Sequence, residues 1–389
     1  MDRRQLLRSG ALVLAGLAAT AQAQDNTLRI GLVLPMTGPF ASTGRQIDAA
    51  VKLYLAQNGA TVAGKKVEVI LKDDGGVADA TRRLSQELVV NDKVAVLAGF
   101  GLTPLAFATA PIATQSKTPM VVMAAATSSI TERSPYIVRT SFTLPQVTVG
   151  VAEWANKNKL KKFVTLVSDY GPGIDAEKTF RERVQLNGGQ VVAELRVPVA
   201  NPDFAPFLQR VRDAQPEALF VFVPSGVGSA FMKQFAERGL DKAGIRLIAT
   251  GDLVDDDILN NMGDVALGVV SSHHYSAAHP SAMNKKFVEA FGKANGGMRP
   301  NFFAVSGYDG MRVIMEGLKA SKGAGGDALL AAMKGQVFES PRGEVLIDAQ
   351  TRDIVQDVYV RKVERVGGQL YNVEFDVQKA VKDPGKTAK

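Results

Sequence analysis

Six short turns hold the residues of this sequence best suited to chemistry on a ligand: 37–45, 99–103, 124–129, 168–173, 224–226 and 250–252. Each follows an apolar, β-branched run, and most of them open an amphipathic stretch. Their glycines, prolines and hydroxyl side chains are turn and helix-cap chemistry, so any one of them alone reads as an ordinary loop. A helix start also leaves backbone N–H groups without partners, and a hydroxyl beside them can hold a carboxylate. Six such turns at successive strand ends point to one shared site.

Catalytic constellations are weaker. Asp73-Asp74 and Asp255-Asp256-Asp257 could serve as acid/base or metal groups, but the first pair ends a strand and the triplet is expected to cap a helix start. Gly226-Val227-Gly228 follows a strand and opens a helix, yet Phe231 stands where a dinucleotide fingerprint needs its third glycine. His273, His274 and His279 are the only histidines. Adjacent histidines should point apart in an extended segment, and no cysteine completes a four-ligand set. The expectation is therefore no metal and no cofactor. His273 or His274, together with Tyr275, is expected to donate to a ligand. Arg45 opens the first helix, and a solvated arginine is favoured there over an anion partner. No Walker motif, nucleophile elbow or Ser/His/Asp set can be assembled, which disfavours an enzyme.

The elements that must position these turns alternate regularly. Strands are expected at 28–34, 67–72, 94–98, 120–123, 163–167, 191–197, 218–223, 245–249 and 267–270. Helical patterns at 44–58, 77–91, 103–116, 144–158, 173–187, 204–213 and 227–238 lie between them. Strand then helix, repeated, means parallel sheets covered on both faces. Nine strands exceed one compact sheet, and the pattern pauses at Phe142-Thr143-Leu144-Pro145 before restarting. The fold class is α/β, with two doubly wound parallel-sheet lobes. One lobe is expected to hold 24–143 plus 276–350, with long helices at 281–295 and 301–320. The other is expected to hold 144–275 plus 351–378, with late strands at 355–363 and 370–375. Residues 379–389 are expected to form a disordered tail.

Residues 1–23 read as a cleavable export signal: Arg3, Arg4 and Arg8, then an apolar run, then Ala21-Gln22-Ala23. The apolar run is shorter than the roughly 20 residues that span a bilayer. Arg3-Arg4-Gln5-Leu6-Leu7 also resembles a twin-arginine signal, leaving Sec and Tat export both open. The chain has 389 residues, 46% of them hydrophobic, no cysteine and a formal net charge of +7. It can bury a large core without disulfides and carries no cysteine for a lipid anchor. The cluster at 157–162 reads as a solvated helix end, and no basic, aromatic-rich track suggests nucleic acid. A soluble periplasmic monomer, without direct membrane insertion, is expected.

Together the motifs resemble the type I periplasmic solute-binding proteins of the branched-chain amino-acid (leucine/isoleucine/valine-binding-like) ABC importer family. They are Thr37-Gly38-Pro39 with Gly44, Lys72-Asp73-Asp74, the run 94–99, Ala125-Ala126-Thr127 with Arg139-Thr140, Asp169-Tyr170-Gly171, and Tyr308-Asp309. Their order and spacing carry the resemblance, which runs over the whole mature chain. It implies two lobes joined by three crossovers, near 143, 274 and 351, that close on a ligand and feed a membrane permease. By position, Thr103 should supply a ligand-binding hydroxyl, Ala125 a carbonyl, Thr127 a hydroxyl and amide, and Tyr170 a lid from the second lobe. Leu102 and Thr103 replace the paired serines expected there. Gly251, with Asp252 beside it, replaces the glutamate expected to hold an α-ammonium. That departure favours an aromatic or other apolar carboxylate, walled by Phe40, Phe100, Leu102 and Tyr275 with Ser225 and His274 nearby, over a branched-chain amino acid. A soluble sensor that presents its ligand to a membrane receptor, or a periplasmic enzyme, remains an alternative.

Overall fold

In a computed structural model, residues 26–386 are described. The expected export signal and residues 387–389 lie outside them. The first lobe builds from β1 (Thr27–Leu34), α1 (Ala41–Asn58), β2 (Thr61–Val62), β3 (Lys65–Asp73), α2 (Ala78–Val90), β4 (Val96–Gly99), α3 (Thr103–Ser116), β5 (Met120–Val122) and β6 (Ile137–Arg139). Its six strands lie in the order β2-β3-β1-β4-β5-β6, and all pairs but β2–β3 are parallel. β1 and β4 are almost wholly apolar because helices cover both faces of the sheet.

The chain then crosses into α4 (Leu144–Lys157). The pause seen in the sequence is a helix start with a complete capping box: the Gln146 amide donates to Thr143 Oγ1 at 3.3 Å, and the Thr143 amide donates to Gln146 Oε1 at 2.8 Å. The second lobe follows with β7 (Lys162–Ser168), α5 (Gly171–Gln185), β8 (Gln190–Val197), α6 (Ala205–Ala214), β9 (Ala218–Phe222), α7 (Ser225–Glu237), β10 (Arg246–Thr250), α8 (Leu259–Met262) and β11 (Val270–His273). Helices α9 (Ala282–Ala294), α10 (Phe302–Ala320) and α11 (Gly326–Met333) come next, with α10 packed on α1.

The closing strands depart from expectation. β12 (Val337–Ser340) and β13 (Gly343–Ile347) form a hairpin that pairs with β14 (Ile354–Val366) in the second sheet, not with the first lobe. Their buried Phe338, Val345 and Ile347 extend the apolar layer there, so the chain enters the second sheet well before residue 351. It touches the first sheet once more, where the Arg139 amide donates to the Arg352 carbonyl at 2.9 Å.

The expected tail at 379–389 is also ordered as far as it is described. β15 (Gln369–Val381) runs antiparallel to β14, and Asp383 then accepts from Ser128 Oγ at 3.1 Å while Lys386 reaches Asp353. Polar composition hid a segment held by ion pairs and hydrogen bonds rather than by apolar burial. One continuous core cluster joins the lobes, running from Leu28 and Ile47 through Phe142 to Phe163, Phe180 and Val360. Among the described residues, no helix is long and apolar enough to cross a membrane.

Candidate functional site

In both sheets the winding direction reverses beside the first strand, between β1 and β4 and between β7 and β9. Ligand crevices in doubly wound sheets form at such points, outside the carboxyl ends of the strands. Here the two crevices face each other across one small cavity.

The first lobe contributes Phe40, Thr43, Gly101, Leu102, Thr103 and Ala124 to Ala126, and the second contributes Tyr170, Pro172, Phe222, Pro224, Ser225 and Asp252. Phe142 and Leu144 from the crossover, with Phe303 from the first turn of α10, complete the lining. Tyr170 stacks on Phe222, with centroids 6.1 Å apart and planes at 19°.

The first-lobe end of this cavity is rich in donors. Helix α3 begins at Thr103 with no side-chain cap; Pro104 has no N–H and the Leu105 and Ala106 amides donate to the Leu102 carbonyl, so the Thr103 amide is the first-turn donor left open. Thr103 Oγ1 lies 3.0 Å from Thr127 Oγ1, so one hydroxyl proton is free to point elsewhere. The Thr127 loop is held from behind by the fully buried Arg139, which donates to the Thr127 carbonyl at 2.8 Å and pairs with Asp353 at 2.9 Å.

The second-lobe end holds an acid. Asp252 is 4% exposed, accepts from Thr250 Oγ1 at 2.9 Å and stands 3.6 Å from His273 Nε2. Burial lowers the His273 pKa to about 4, against the pull of Asp252, so the imidazole is neutral at neutral pH. Burial, and then the charge of Asp252, push the Tyr170 phenol well above its usual range, so it stays a neutral donor.

The lobes stand closed. Asn301 Nδ2 donates to Asp255 Oδ2 at 2.9 Å, the Ser128 amide donates to Asp175 Oδ2 at 3.0 Å, and Ser42 bonds Asp257. Backbone meets across the cleft as well. A Cβ on Gly171 would lie 2.5 Å from Thr127 Oγ1, and one on Gly226 would overlap the Pro39 carbonyl.

A family model described as periplasmic binding protein matches residues 27–369. This chain belongs to the periplasmic binding protein family. It is 63% identical to a solute binding protein of an ABC transporter from Rhodopseudomonas palustris BisB5, solved with 3,4-dihydroxybenzoic acid. That match covers 93% of this chain and 100% of the other, with a TM-score of 0.91. A second R. palustris solute binding protein, solved with 4-hydroxybenzoate, is 40% identical over 92% of this chain and 99% of the other, with a TM-score of 0.89. Among curated relatives, Leu/Ile/Val-binding protein homolog 6 of Brucella abortus (strain 2308) is 42% identical over 97% of this chain and 98% of its own length. The two-lobed architecture read from the sequence is that of these relatives.

Of the binding protein's expected site residues, Leu102, Thr103, Ala125, Tyr170, Ser225 and Asp252 line the cavity, and Thr127 stands directly behind Thr103. Four do not line it: Thr127, which reaches it only through its bond to Thr103, and three that point elsewhere. Phe100 has a φ of 68°, which turns its ring into the cluster containing Leu97, Ala106 and Ile130. Tyr275 is fully buried, donates to Asn284 Oδ1 at 2.9 Å and packs on Phe287. His274 is fully buried against Phe142 and Phe302, with Nε2 3.4 Å from Ser306 Oγ.

The His273 and His274 rings do not point apart; their centroids are 4.5 Å from each other, because the strand ends at His273 and both wedge around Phe142. His279 turns to Glu374 at 2.8 Å. Arg45 is exposed, as the solvated reading has it.

The acids weighed for catalysis are structural here. Asp73 accepts from the Met36 amide and Thr37 Oγ1, fixing the turn after β1. Asp255 to Asp257 do not cap a long helix, since α8 is four residues with no side-chain cap; they reach Asn301, Asn372 and Ser42 instead.

Phe142, Phe222 and Phe303 were not singled out as cavity residues. Phe222 ends β9 and Phe303 follows the capping Asn301, so strand-end and helix-start signals marked both. Their direction into the cleft had no such signal.

Proposed function

We propose that this protein is exported, captures a small aromatic carboxylate between its lobes and delivers it, chemically unchanged, to the membrane permease of an ABC importer. It acts as a monomer, with Arg3-Arg4 at the start of its export signal. One observation carries the reading of the ligand. An aromatic box formed by Phe40, Phe142, Tyr170, Phe222 and Phe303 separates a donor-rich end from an acid, and a buried guanidinium stands where an ammonium-holding glutamate would have to be.

That guanidinium is Arg361, fully buried, and any Cβ at Gly251 would fall inside it. A glutamate at 251 would require the Arg361 side chain to move away. The Ala125 carbonyl, expected to receive the ligand head group, accepts from the Ser141 hydroxyl at 3.4 Å. The carboxylate sits at the hydroxyl and amide of Thr103, with Thr127 bonded to that hydroxyl, and apolar burial of the ring supplies most of the affinity.

A branched-chain amino acid is the second reading, favoured by the position of Asp252 in the cavity and by the similarity to the Brucella protein named for Leu, Ile and Val.

Ligand-stripped protein should melt higher with aromatic acids and not with leucine, because a ligand at a hundred times its Kd adds about 2.7 kcal/mol of stability. A shift with leucine and none with any benzoate would reverse the assignment. Thr127→Ala should cost about 1–3 kcal/mol of binding to the active ligand by calorimetry, the range for leaving a buried polar partner unmade. Normal affinity in that variant would move the carboxylate away from the first-lobe end.

A further inference from the structure

We infer that Asp252 is the specificity-determining residue of the cavity and selects aromatic acids whose ring bears a hydroxyl group. The inference rests on the aromatic-carboxylate reading and assigns the far end of the same ligand. Asp252 lines the cavity at the second-lobe end and is 4% exposed. Its Oδ2 already accepts from Thr250 Oγ1 at 2.9 Å, with His273 Nε2 at 3.6 Å behind it. Among the described residues, no group donates to Oδ1.

A ligand that fills the cavity takes water away from this oxygen, which is costly without a donor, so the bound ligand must bring one. A second carboxylate cannot serve, since like charges would meet there. That leaves ammonium or hydroxyl.

Two features favour the hydroxyl. The buried Arg361 guanidinium stands behind Gly251 and interacts with the charge of Asp252, so a second cation would be repelled by the first. The single open oxygen of Asp252 matches a group with one proton to give, whereas an ammonium carries three.

A phenolic hydroxyl also places its proton in the plane of a ring. Tyr170 and Phe222, stacked at 19°, define one face of the box that would hold that ring. Asp252 would accept while Ser225, at the same end, completes the polar wall.

Calorimetry with benzoate, 3-hydroxybenzoate, 4-hydroxybenzoate and 4-methoxybenzoate tests this on the parent protein and on Asp252→Ala. The parent should bind at least one hydroxybenzoate about tenfold more tightly than benzoate, the scale of one charge-assisted hydrogen bond. The methoxy compound, which has no proton to donate, should show no such gain. In Asp252→Ala the preference should fall below about threefold. If that variant does not fold, Asp252→Asn, which keeps the shape and loses the charge, should still lower the preference.

A parent that binds benzoate and hydroxybenzoates equally, or a variant that keeps the preference, overturns the role of Asp252 and leaves the aromatic-acid reading standing. A parent that binds none of the four overturns both.

Discussion

Replacing Gly226 by alanine is expected to weaken ligand binding by roughly a hundredfold, about 2.7 kcal/mol, while the unliganded protein melts as the parent does. Gly226 lies in the first turn of α7, in the second lobe. Its Cβ would overlap the Pro39 carbonyl and come 3.0 Å from Phe40 Cδ1, both in the first lobe. Backbone cannot step aside as a flexible side chain can, so the closed form is penalised. The open form gains slightly, because alanine is the better helix former by about 1 kcal/mol.

A ligand that bridges both lobes draws its affinity from the closed form, and a substitution that disfavours only that form must reduce affinity by the same free energy. Calorimetry measures the loss, and small-angle scattering should show the variant staying extended at ligand concentrations that compact the parent. Unchanged affinity would mean that the lobes bind without meeting at Pro39, and the clamp would have to be abandoned.

Arg342→Leu should lower the stability by about 3–5 kcal/mol, the cost of leaving one member of a buried ion pair unpaired. The Arg342 side chain is fully buried, with Nη2 2.7 Å from Asp309 Oδ2. It also donates to the Thr140 carbonyl at 2.8 Å, the Ser141 carbonyl at 3.3 Å and Gln356 Oε1 at 2.8 Å. One guanidinium thus ties the first crossover to α10 and β14, the segments that meet at the hinge. Burial raises the pKa of Asp309 and lowers that of Arg342, so each charge depends on the other to stay. Removing both, in Arg342→Leu with Asp309→Leu, should recover more than half of the loss in urea unfolding, since the desolvation penalty disappears with the pair. A single variant within about 1 kcal/mol of the parent would show that water reaches the site.

Much of the candidate site was legible because turns at strand ends announce themselves locally. Thr103, Ala125, Tyr170, Ser225 and Asp252 all sit within two or three residues of a strand end or a helix start, and all five line the cavity. Phe100 met the same criterion and failed. One backbone angle, a φ of 68° that costs a non-glycine residue about 1–3 kcal/mol, aims it into the core. Tyr275 and His274 failed differently: the crossover that carries them is packed from both sides, by Phe142, Phe287 and Phe302, leaving no path to the cleft. The short β6 and the β12–β13 hairpin escaped the sequence reading because three to five residues give too little alternation to register as strands.

The sequence by itself determined the alternation of strand and helix, the restart after Phe142, and therefore two doubly wound sheets whose strand tips face a crevice. Those properties follow from side-chain period and turn chemistry, which act between near neighbours. Only the tertiary structure decided what the crevice contains. Arg361 comes to lie behind Gly251 because β14 pairs with β11 and carries it there, and Phe303 enters the cavity because α10 docks on α1. Such placements depend on pairings between distant segments, where long-range packing and the burial of charge select a partner that no local pattern specifies.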